Sequence, residues 1–228
     1  MRSRNFRATG LLTPVAFPLA ESSNPPAHRV AGFPCGVGPM KITLIDTSDS
    51  VIAAFMALAL PEGIKIEAAK GDITKATKCD AVVSPANSFG WMDGGVDAAY
   101  MKRFPGIEAK VMAAIADRLL KELLVGEAIA VETGDAKIRT LIVAPTMRLI
   151  GQLPIADNVM LAARAAVLCA MEAGVKHLGI PGLGAGTGQV DPNTVVLGIV
   201  AGVAAAQGTP LAFNYGHPFY QRPEGVYR

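Results

Sequence analysis

The sequence predicts an α/β sandwich, because apolar strand patterns alternate with helical patterns from Met40 onward. Between residues 107 and 124, apolar side chains recur at the spacing of one helix face, with Val111, Ile115 and Leu119 in the repeat. The 228 residues are 51% hydrophobic, which supplies apolar material for one sizeable core and excludes a disordered chain.

The boundaries of the elements follow from strand patterns, caps and glycine stops. Asp157 suits the N-cap of a helix that ends before Gly174, since glycine tolerates the left-handed conformation found after many helices. Asp191 and Pro192 suit the cap and first position of the last helix. The predicted elements are, in chain order, strand 41–46, helix 49–60, strands 64–69 and 80–84, helices 94–103 and 107–124, strands 127–132 and 138–144, helix 157–173, strand 176–180, helix 192–206 and strand 211–215.

Residues 1–39 are predicted to lie outside this domain, since they contain six prolines and four glycines without sustained periodicity. We expect either a flexible leader or translation from an upstream start, with Met40 as the natural first residue. A targeting peptide is a further interpretation, although Pro14 and Pro18 interrupt its apolar region. The domain is expected over 40–228, with its core at about 41–215.

Composition excludes several classes of function. Lys and Arg number 21 against 19 Asp and Glu, without a basic cluster, which disfavours sequence-specific or extended nucleic-acid binding. The three cysteines, Cys35, Cys79 and Cys169, form no CxxC pattern, so neither a disulfide framework nor a zinc site is expected and a reducing, cytoplasmic location fits best. The longest apolar stretches fall short of the ~18 residues of a membrane span.

The loop at 181–188 is the strongest candidate for a ligand site. It follows an apolar strand, has glycine at every second position from Gly182 to Gly188, and leads to Asp191. Backbone N–H groups that converge beside a helix N-terminus suit the oxygens of a phosphate or diphosphate. The alternative is a tight strand-to-helix turn. P-loop and Rossmann patterns are both absent, because no Lys follows these glycines and Gln189 occupies the third-glycine position.

Two other loops that leave strands carry polar side chains. The Asp72 carboxylate can accept an N–H from a base such as adenine, and the alternative is a turn-forming or cap-forming Asp. Asn87 can hydrogen-bond ribose hydroxyls, while Asp97 can orient or deprotonate a water for attack on a neighbouring anomeric carbon or phosphate. The alternatives are a turn residue for Asn87 and a helix cap for Asp97.

Five short runs share a joint spacing that is specific: Gly71-Asp72-Ile73-Thr74, Asp80-Ala81-Val82-Val83, Ala86-Asn87-Ser88, Gly94-Gly95-Val96-Asp97, and Pro181 to Gly188. Together they resemble the macrodomain, an ADP-ribose-binding module. Residues 82–95 and 141–148 are most similar to bacterial and phage macrodomains of the type that processes ADP-ribose 1″-phosphate. The resemblance implies a three-layer α/β/α sandwich with a mixed central sheet of six or seven strands.

The resemblance also implies roles for individual residues. Asp72 would hold the adenine amino group, Asn87 would meet the distal ribose, and Asp97 would orient the water. Phe213 would stack on adenine, with core packing as the alternative. The implied ligand-binding set is Asp72, Ile73, Ala86, Gly94, Gly95, Val96, Gly182, Leu183, Gly184, Ala185, Gly186, Thr187, Gly188 and Phe213.

The function expected from this resemblance is hydrolysis of a protein ADP-ribosyl ester, O-acetyl-ADP-ribose or ADP-ribose 1″-phosphate. The alternative is a reader that recognises ADP-ribose without catalysis, and a phage-associated structural protein is a third possibility. Ser84 stands where the family usually has Asn, so a non-catalytic ADP-ribose reader remains an alternative. The expected partner is ADP-ribose or an ADP-ribosylated protein; no cofactor, metal or membrane partner is expected.

Overall fold

The computed structural model of the chain describes residues 40–152 and 154–208. These residues form six strands, five α-helices and one short 3₁₀ turn, Ile73–Lys75. The strands are β1 (Lys41–Asp46), β2 (Glu67–Lys70), β3 (Ala81–Ser84), β4 (Ile129–Glu132), β5 (Thr140–Val143) and β6 (His177–Ile180). The helices are α1 (Asp49–Ala57), α2 (Gly95–Arg103), α3 (Ile107–Ala116), α4 (Ala156–Glu172) and α5 (Pro192–Ala206).

The strands form one mixed sheet in the order β2-β1-β6-β3-β5-β4. Every pairing is parallel except that of the edge strand β4 with β5. Successive residues of β3 face opposite sides, and both sides are buried: Val83 packs with α1, α4 and α5, whereas Val82 packs with α2 and α3. Helices therefore cover both faces of the sheet, which confirms the predicted α/β/α sandwich. A central strand covered on both faces is apolar along its length, as β3 is.

The predicted helix 107–124 is wrong in its second half, since α3 ends at Ala116. Beyond that point Leu119 is 98% exposed and Lys121 has φ +52°, so the apolar repeat has no surface to pack against and the backbone leaves the helical region. In the segment after α3, Arg118 forms an ion pair with Glu127, and Glu122 forms one with Arg148.

Smaller differences occur at other boundaries. The strand expected at 64–69 begins only at Glu67. Ile155, not Asp157, holds the N-cap position of α4, and Asp157 lies in the first helical turn. The strand expected at 211–215 lies outside the described residues. No helix in the described part of the chain combines the length and apolar character needed to cross a membrane.

Helices α4 and α5 pack closely because α5 presents glycine at two positions on their interface. A Cβ added at Gly198 would lie 2.8 Å from Val159 Cγ1, and one added at Gly202 would lie 2.5 Å from the carbonyl oxygen of Met160. Backbone atoms cannot move aside as a flexible side-chain end can. This close approach fixes the layer of α4 and α5 beneath the sheet.

We therefore expect Gly202→Ala to destabilise the fold by about 1–3 kcal/mol, since its methyl group would overlap the α4 backbone. The free energy of unfolding from denaturant titration measures the effect. Ala205→Ser, on the exposed side of the same helix, is the matched control and should change that free energy by less than about 0.5 kcal/mol. Equal stability of the two variants would contradict the close packing.

Candidate functional site

A cavity of about 870 Å³ opens at the carboxyl ends of the parallel strands. Parallel strands release their following loops at the same edge of the sheet, and ligands in open α/β sheets bind there. The lining residues belong to five segments that follow β1, β2, β3, β5 and β6, within 45–51, 71–73, 85–99, 146–150 and 181–192. The volume lies in the range of small-molecule and cofactor sites.

The cavity brings together nearly all of the sequence-predicted site residues. Both candidate catalytic residues, Asn87 and Asp97, lie on its wall, together with twelve of the thirteen described residues of the implied ligand-binding set. Leu183 is the exception: its side chain is fully buried in the core and does not line the cavity. Phe213 lies outside the described residues. The members on the wall besides Asn87 and Asp97 are Asp72, Ile73, Ala86, Gly94, Gly95, Val96, Gly182, Gly184, Ala185, Gly186, Thr187 and Gly188.

The four alternate glycines of the loop after β6 have different structural roles. The N–H of Gly182 donates to Asp46 Oδ2 at 2.8 Å, and a Cβ there would lie 2.7 Å from that oxygen. Gly184 has φ +78°, and a Cβ at Gly188 would lie 2.6 Å from the Gly184 carbonyl oxygen. Only Gly186 faces open space. Gly182, Gly184 and Gly188 are thus required by the tight strand-to-helix turn, which was the alternative interpretation of this loop. Gly186 faces the cavity.

Two stretches of the cavity wall present backbone N–H groups without an acceptor in the described part of the chain. One is Gly186, Thr187 and Gly188; the other is Gly95 and Val96, in the first turn of α2. A Cβ at Gly94 would lie 3.6 Å from Thr187 Oγ1, so the two stretches approach each other. Free N–H groups at a helix N-terminus and in a glycine turn favour an anion between them.

Asp72 lies on the wall and also caps the 3₁₀ turn that follows it. Its Oδ1 accepts hydrogen bonds from Thr74 N at 2.9 Å and Thr74 Oγ1 at 2.7 Å, while Oδ2 lies 3.4 Å from Lys75 Nζ. The hydrogen bonds from Thr74 lower the pKa of Asp72. The carboxylate is therefore held ionised and oriented, and the capping role considered from the sequence is present.

Asn87 uses its side chain to build the loop after β3. Its Nδ2 donates to the Trp91 carbonyl oxygen at 2.7 Å, and its Oδ1 accepts from Phe89 N at 3.0 Å and Trp91 N at 3.4 Å. The residue is only 4% exposed. One Nδ2 hydrogen has no acceptor among the described residues, which leaves a single donor for a ligand.

Asp97 is a buried carboxyl group in the first turn of α2. Its Oδ1 accepts a 2.6 Å hydrogen bond from Ser84 Oγ, at the end of β3, and its other oxygen has no donor among the described residues. Tyr100, one turn later, donates its hydroxyl hydrogen to the Val83 carbonyl oxygen and so ties α2 to β3. Burial raises the pKa of Asp97 to about 7, against the lowering effect of the Ser84 hydrogen bond.

The cavity wall is acidic. Asp46, Asp72, Asp93, Asp97 and Asp191 line it, and no Lys, Arg or His of the described residues does. Three of these carboxylates accept hydrogen bonds from backbone N–H groups: Asp46 from Ser48 and Gly182, Asp72 from Thr74, and Asp191 as the N-cap of α5. Within residues 40–152 and 154–208, no group of three His, Cys, Asp or Glu side chains is arranged to hold a metal ion.

Sequence reasoning missed several residues of the wall. Asp46 is the most consequential, since its carboxylate joins the loop after β1 to Gly182. Its position at the carboxyl end of the first predicted strand was a usable signal. Trp91, Thr146 and Met147 also line the cavity, and no sequence spacing distinguished them from packing residues.

The fold is an α/β/α sandwich with a ligand-sized cavity at the carboxyl ends of a mostly parallel sheet. The Macro domain family model matches residues 83–197, half of the chain, so the protein belongs to the macrodomain family.

Two curated relatives are similar over part of their length. An uncharacterised protein of Aeropyrum pernix is 38% identical over 120 residues, which cover 52% of this chain and 59% of that protein. An uncharacterised protein of Aquifex aeolicus is 35% identical over 135 residues, 59% of this chain and 78% of that protein. The match thus spans less than two thirds of the Aeropyrum protein.

Three solved structures share the fold at low sequence identity. The macrodomain of Mycobacterium tuberculosis DarG has a TM-score of 0.53 and 21% identity, covering 60% of this chain and 88% of that one. The macrodomain of Thermus aquaticus DarG has a TM-score of 0.53 and 23% identity, and the match covers 60% of this chain and 89% of that one. Thermosipho africanus DarTG, solved in complex with ADP-ribose, has a TM-score of 0.50 and 20% identity, and the match covers 57% of this chain and 36% of that one.

The raised pKa of Asp97 makes stability depend on pH. Between the ordinary value of 3.8 and about 7, the folded protein keeps a proton that the unfolded chain releases. The contribution of Asp97 to stability is therefore fully present below about pH 4 and is lost, by roughly 4 kcal/mol, as pH rises from about 4 to 7. We expect Asp97→Asn, which stays neutral, to be more stable than the wild type at pH 8 but similar at pH 4.

Denaturant midpoints measured across this pH range test the expectation. Asp117→Asn is the matched control, because Asp117 is exposed at the end of α3 and should leave the pH dependence unchanged. A stability difference between Asp97→Asn and wild type that does not vary with pH would contradict a buried, protonated Asp97.

Proposed function

We propose that this macrodomain binds ADP-ribose in the cavity, as a free metabolite or attached to a protein. The order of the strands carries the proposal. Asp72 follows β2, the free N–H groups at 186–188 follow β6, and Asn87 and Asp97 follow β3. A base, a diphosphate and a distal sugar follow one another in ADP-ribose in the same order.

The dimensions agree with this arrangement. Strands β2 and β3 are three positions apart in the sheet, which corresponds to roughly 14 Å at the usual interstrand spacing. A ligand that reached from one to the other would cross β1 and β6, where the glycine turn lies. The ADP-ribose bound in the Thermosipho africanus structure supports this choice of ligand by similarity of fold.

The diphosphate would be held without a cationic side chain. Its oxygens would accept from the N–H groups of Gly186, Thr187 and Gly188 on one side and of Gly95 and Val96 on the other. The positive end of the α2 dipole favours the same charge. The lowered pKa of Asp72 fits a carboxylate that accepts the adenine amino group, with the Ile73 backbone beside the ring.

We further propose that the cavity hydrolyses an ADP-ribosyl derivative, namely a protein ester, O-acetyl-ADP-ribose or ADP-ribose 1″-phosphate. Asp97 would take a proton from the attacking water, and the free Nδ2 hydrogen of Asn87 would bind a hydroxyl of the distal sugar. A pKa of about 7 suits a general base at neutral pH, because the group is partly ionised and still basic. Ser84 would hold the Asp97 carboxylate in position.

The second candidate is a reader of ADP-ribose without catalysis. Two observations favour it: Asp97 is only 7% exposed, and Asn87 already makes three hydrogen bonds within its own loop. Neither feature weakens the binding groups, which are mostly backbone N–H groups. Turnover separates the two candidates.

The binding proposal is tested by calorimetric titration with ADP-ribose, ADP and AMP. We expect Gly186→Val to weaken ADP-ribose binding at least tenfold, since its side chain would enter open cavity space without meeting protein atoms. Ala109→Val, exposed on α3 and away from the cavity, is the matched control and should bind like the wild type. Absence of ADP-ribose binding to the wild type would refute the proposal.

The catalytic proposal is tested by turnover of the three substrate classes. We expect the rate to rise with pH through about 7, as Asp97 ionises, and Asp97→Asn to lower it by about 100-fold or more. Ser84→Ala should move the midpoint of the pH profile upward, because the hydrogen bond that lowers the pKa of Asp97 is lost. Undiminished turnover in Asp97→Asn would remove its role; binding of ADP-ribose without any turnover would favour the reader.

A further inference from the structure

Trp91 is a large aromatic side chain on the cavity wall that the binding roles above leave unused. It is 41% exposed and lies in the loop between β3 and α2. An indole usually buries most of its apolar surface, so an exposed one that faces a ligand-sized cavity has area available for a ligand.

The Trp91 ring is held in a fixed orientation by a column of stacked groups. Phe89 stacks on it with ring centroids 5.3 Å apart and an interplanar angle of 27°. The Arg148 guanidinium in turn lies over the Phe89 ring, 5.3 Å from its centroid. Glu122 holds that guanidinium through both Nε, at 3.1 Å, and Nη2, at 2.7 Å. A ring supported in this way loses little freedom when a ligand packs on it.

The backbone beneath the ring is held by Asn87. The three hydrogen bonds of the Asn87 side chain all go to Phe89 and Trp91, so the residue that would meet the distal sugar also fixes the turn that carries the indole. Trp91 therefore lies at the Asn87 end of the cavity, after β3, and Asp72 lies three strands away, after β2.

We propose that the Trp91 indole covers the distal sugar of bound ADP-ribose, with Asn87 as the positioning residue of the indole; this rests on the binding proposed above. A pentose has an apolar C–H face and hydroxyl edges. The C–H face packs on the indole and loses contact with water, while the hydroxyl edges remain for the free Asn87 amide hydrogen. Trp91 thus distinguishes ADP-ribose from ADP, which lacks that sugar.

The chain contains one tryptophan, so its tryptophan fluorescence reports on Trp91 alone. The full chain is titrated with ADP-ribose and with ADP, and calorimetry follows binding in parallel. ADP-ribose is expected to change the emission intensity or maximum at saturation, and ADP is expected to bind with little change. Calorimetric binding of ADP-ribose with unchanged emission would overturn the Trp91 inference and leave the proposed function intact. No binding at all would refute both.

Variants supply a second measurement. Trp91→Ala should weaken ADP-ribose about tenfold and leave ADP affinity unchanged, whereas Trp91→Phe should keep most of the affinity. An equal loss for both ligands would show that Trp91 acts on the fold and would overturn the inference. If Trp91→Ala fails to fold, the wild-type titration decides.

The positioning role of Asn87 has its own spectroscopic readout. Asn87→Ala removes three hydrogen bonds from the loop, and we expect the emission of Trp91 in the ligand-free protein to move to longer wavelength as the indole becomes more hydrated. Ser50→Ala, whose hydroxyl lies on the α1 side of the cavity, is the control and should leave that emission unchanged. Identical emission of Asn87→Ala and wild type would remove the positioning role.

Discussion

Parallel pairing of five strands is the constraint on which the site depends. Each parallel connection must cross from one end of the sheet to the other, so helices cover both faces and every loop that leaves a strand emerges at one edge. The loops after β2, β1, β6 and β3 are neighbours for this reason, although Asp72 and Gly186 are far apart in the chain. The cavity follows from the strand order.

Backbone N–H groups donate hydrogen bonds to most of the carboxylates that line the cavity. Asp46, Asp72 and Asp191 each accept a hydrogen bond from a main-chain N–H, and the hydrogen bonds from Thr74 lower the pKa of Asp72. Asp97 differs, since it has one hydroxyl donor and a buried environment that disfavours its charge. A buried carboxyl group with a raised pKa lowers the stability of the fold at neutral pH.

The sequence predicted the alternation of elements, the mixed sheet between two helical layers and most of the residues on the cavity wall. Its errors have physical causes. Helix α3 stops at Ala116 because the apolar repeat continues through Leu119 without a surface to pack on. Leu183 fills the core between two glycines of a loop that was expected to face the ligand throughout. The sequence pattern predicts neither the early end of α3 nor the burial of Leu183, because both depend on which residues from other parts of the chain pack against these segments.

The chain alone determined which residues are candidates for a ligand site: the periodicity predicts the strands, and the polar and glycine residues after each strand are the candidates at the carboxyl edge of the sheet. The tertiary structure decided how those residues are used. It assigned the Gly182 N–H to Asp46, left the N–H groups at 186–188 free, buried Asp97 against Ser84 and joined Asn87 to Trp91. Hydrogen bonding and burial are set by neighbours from distant parts of the chain, so a local pattern does not contain them.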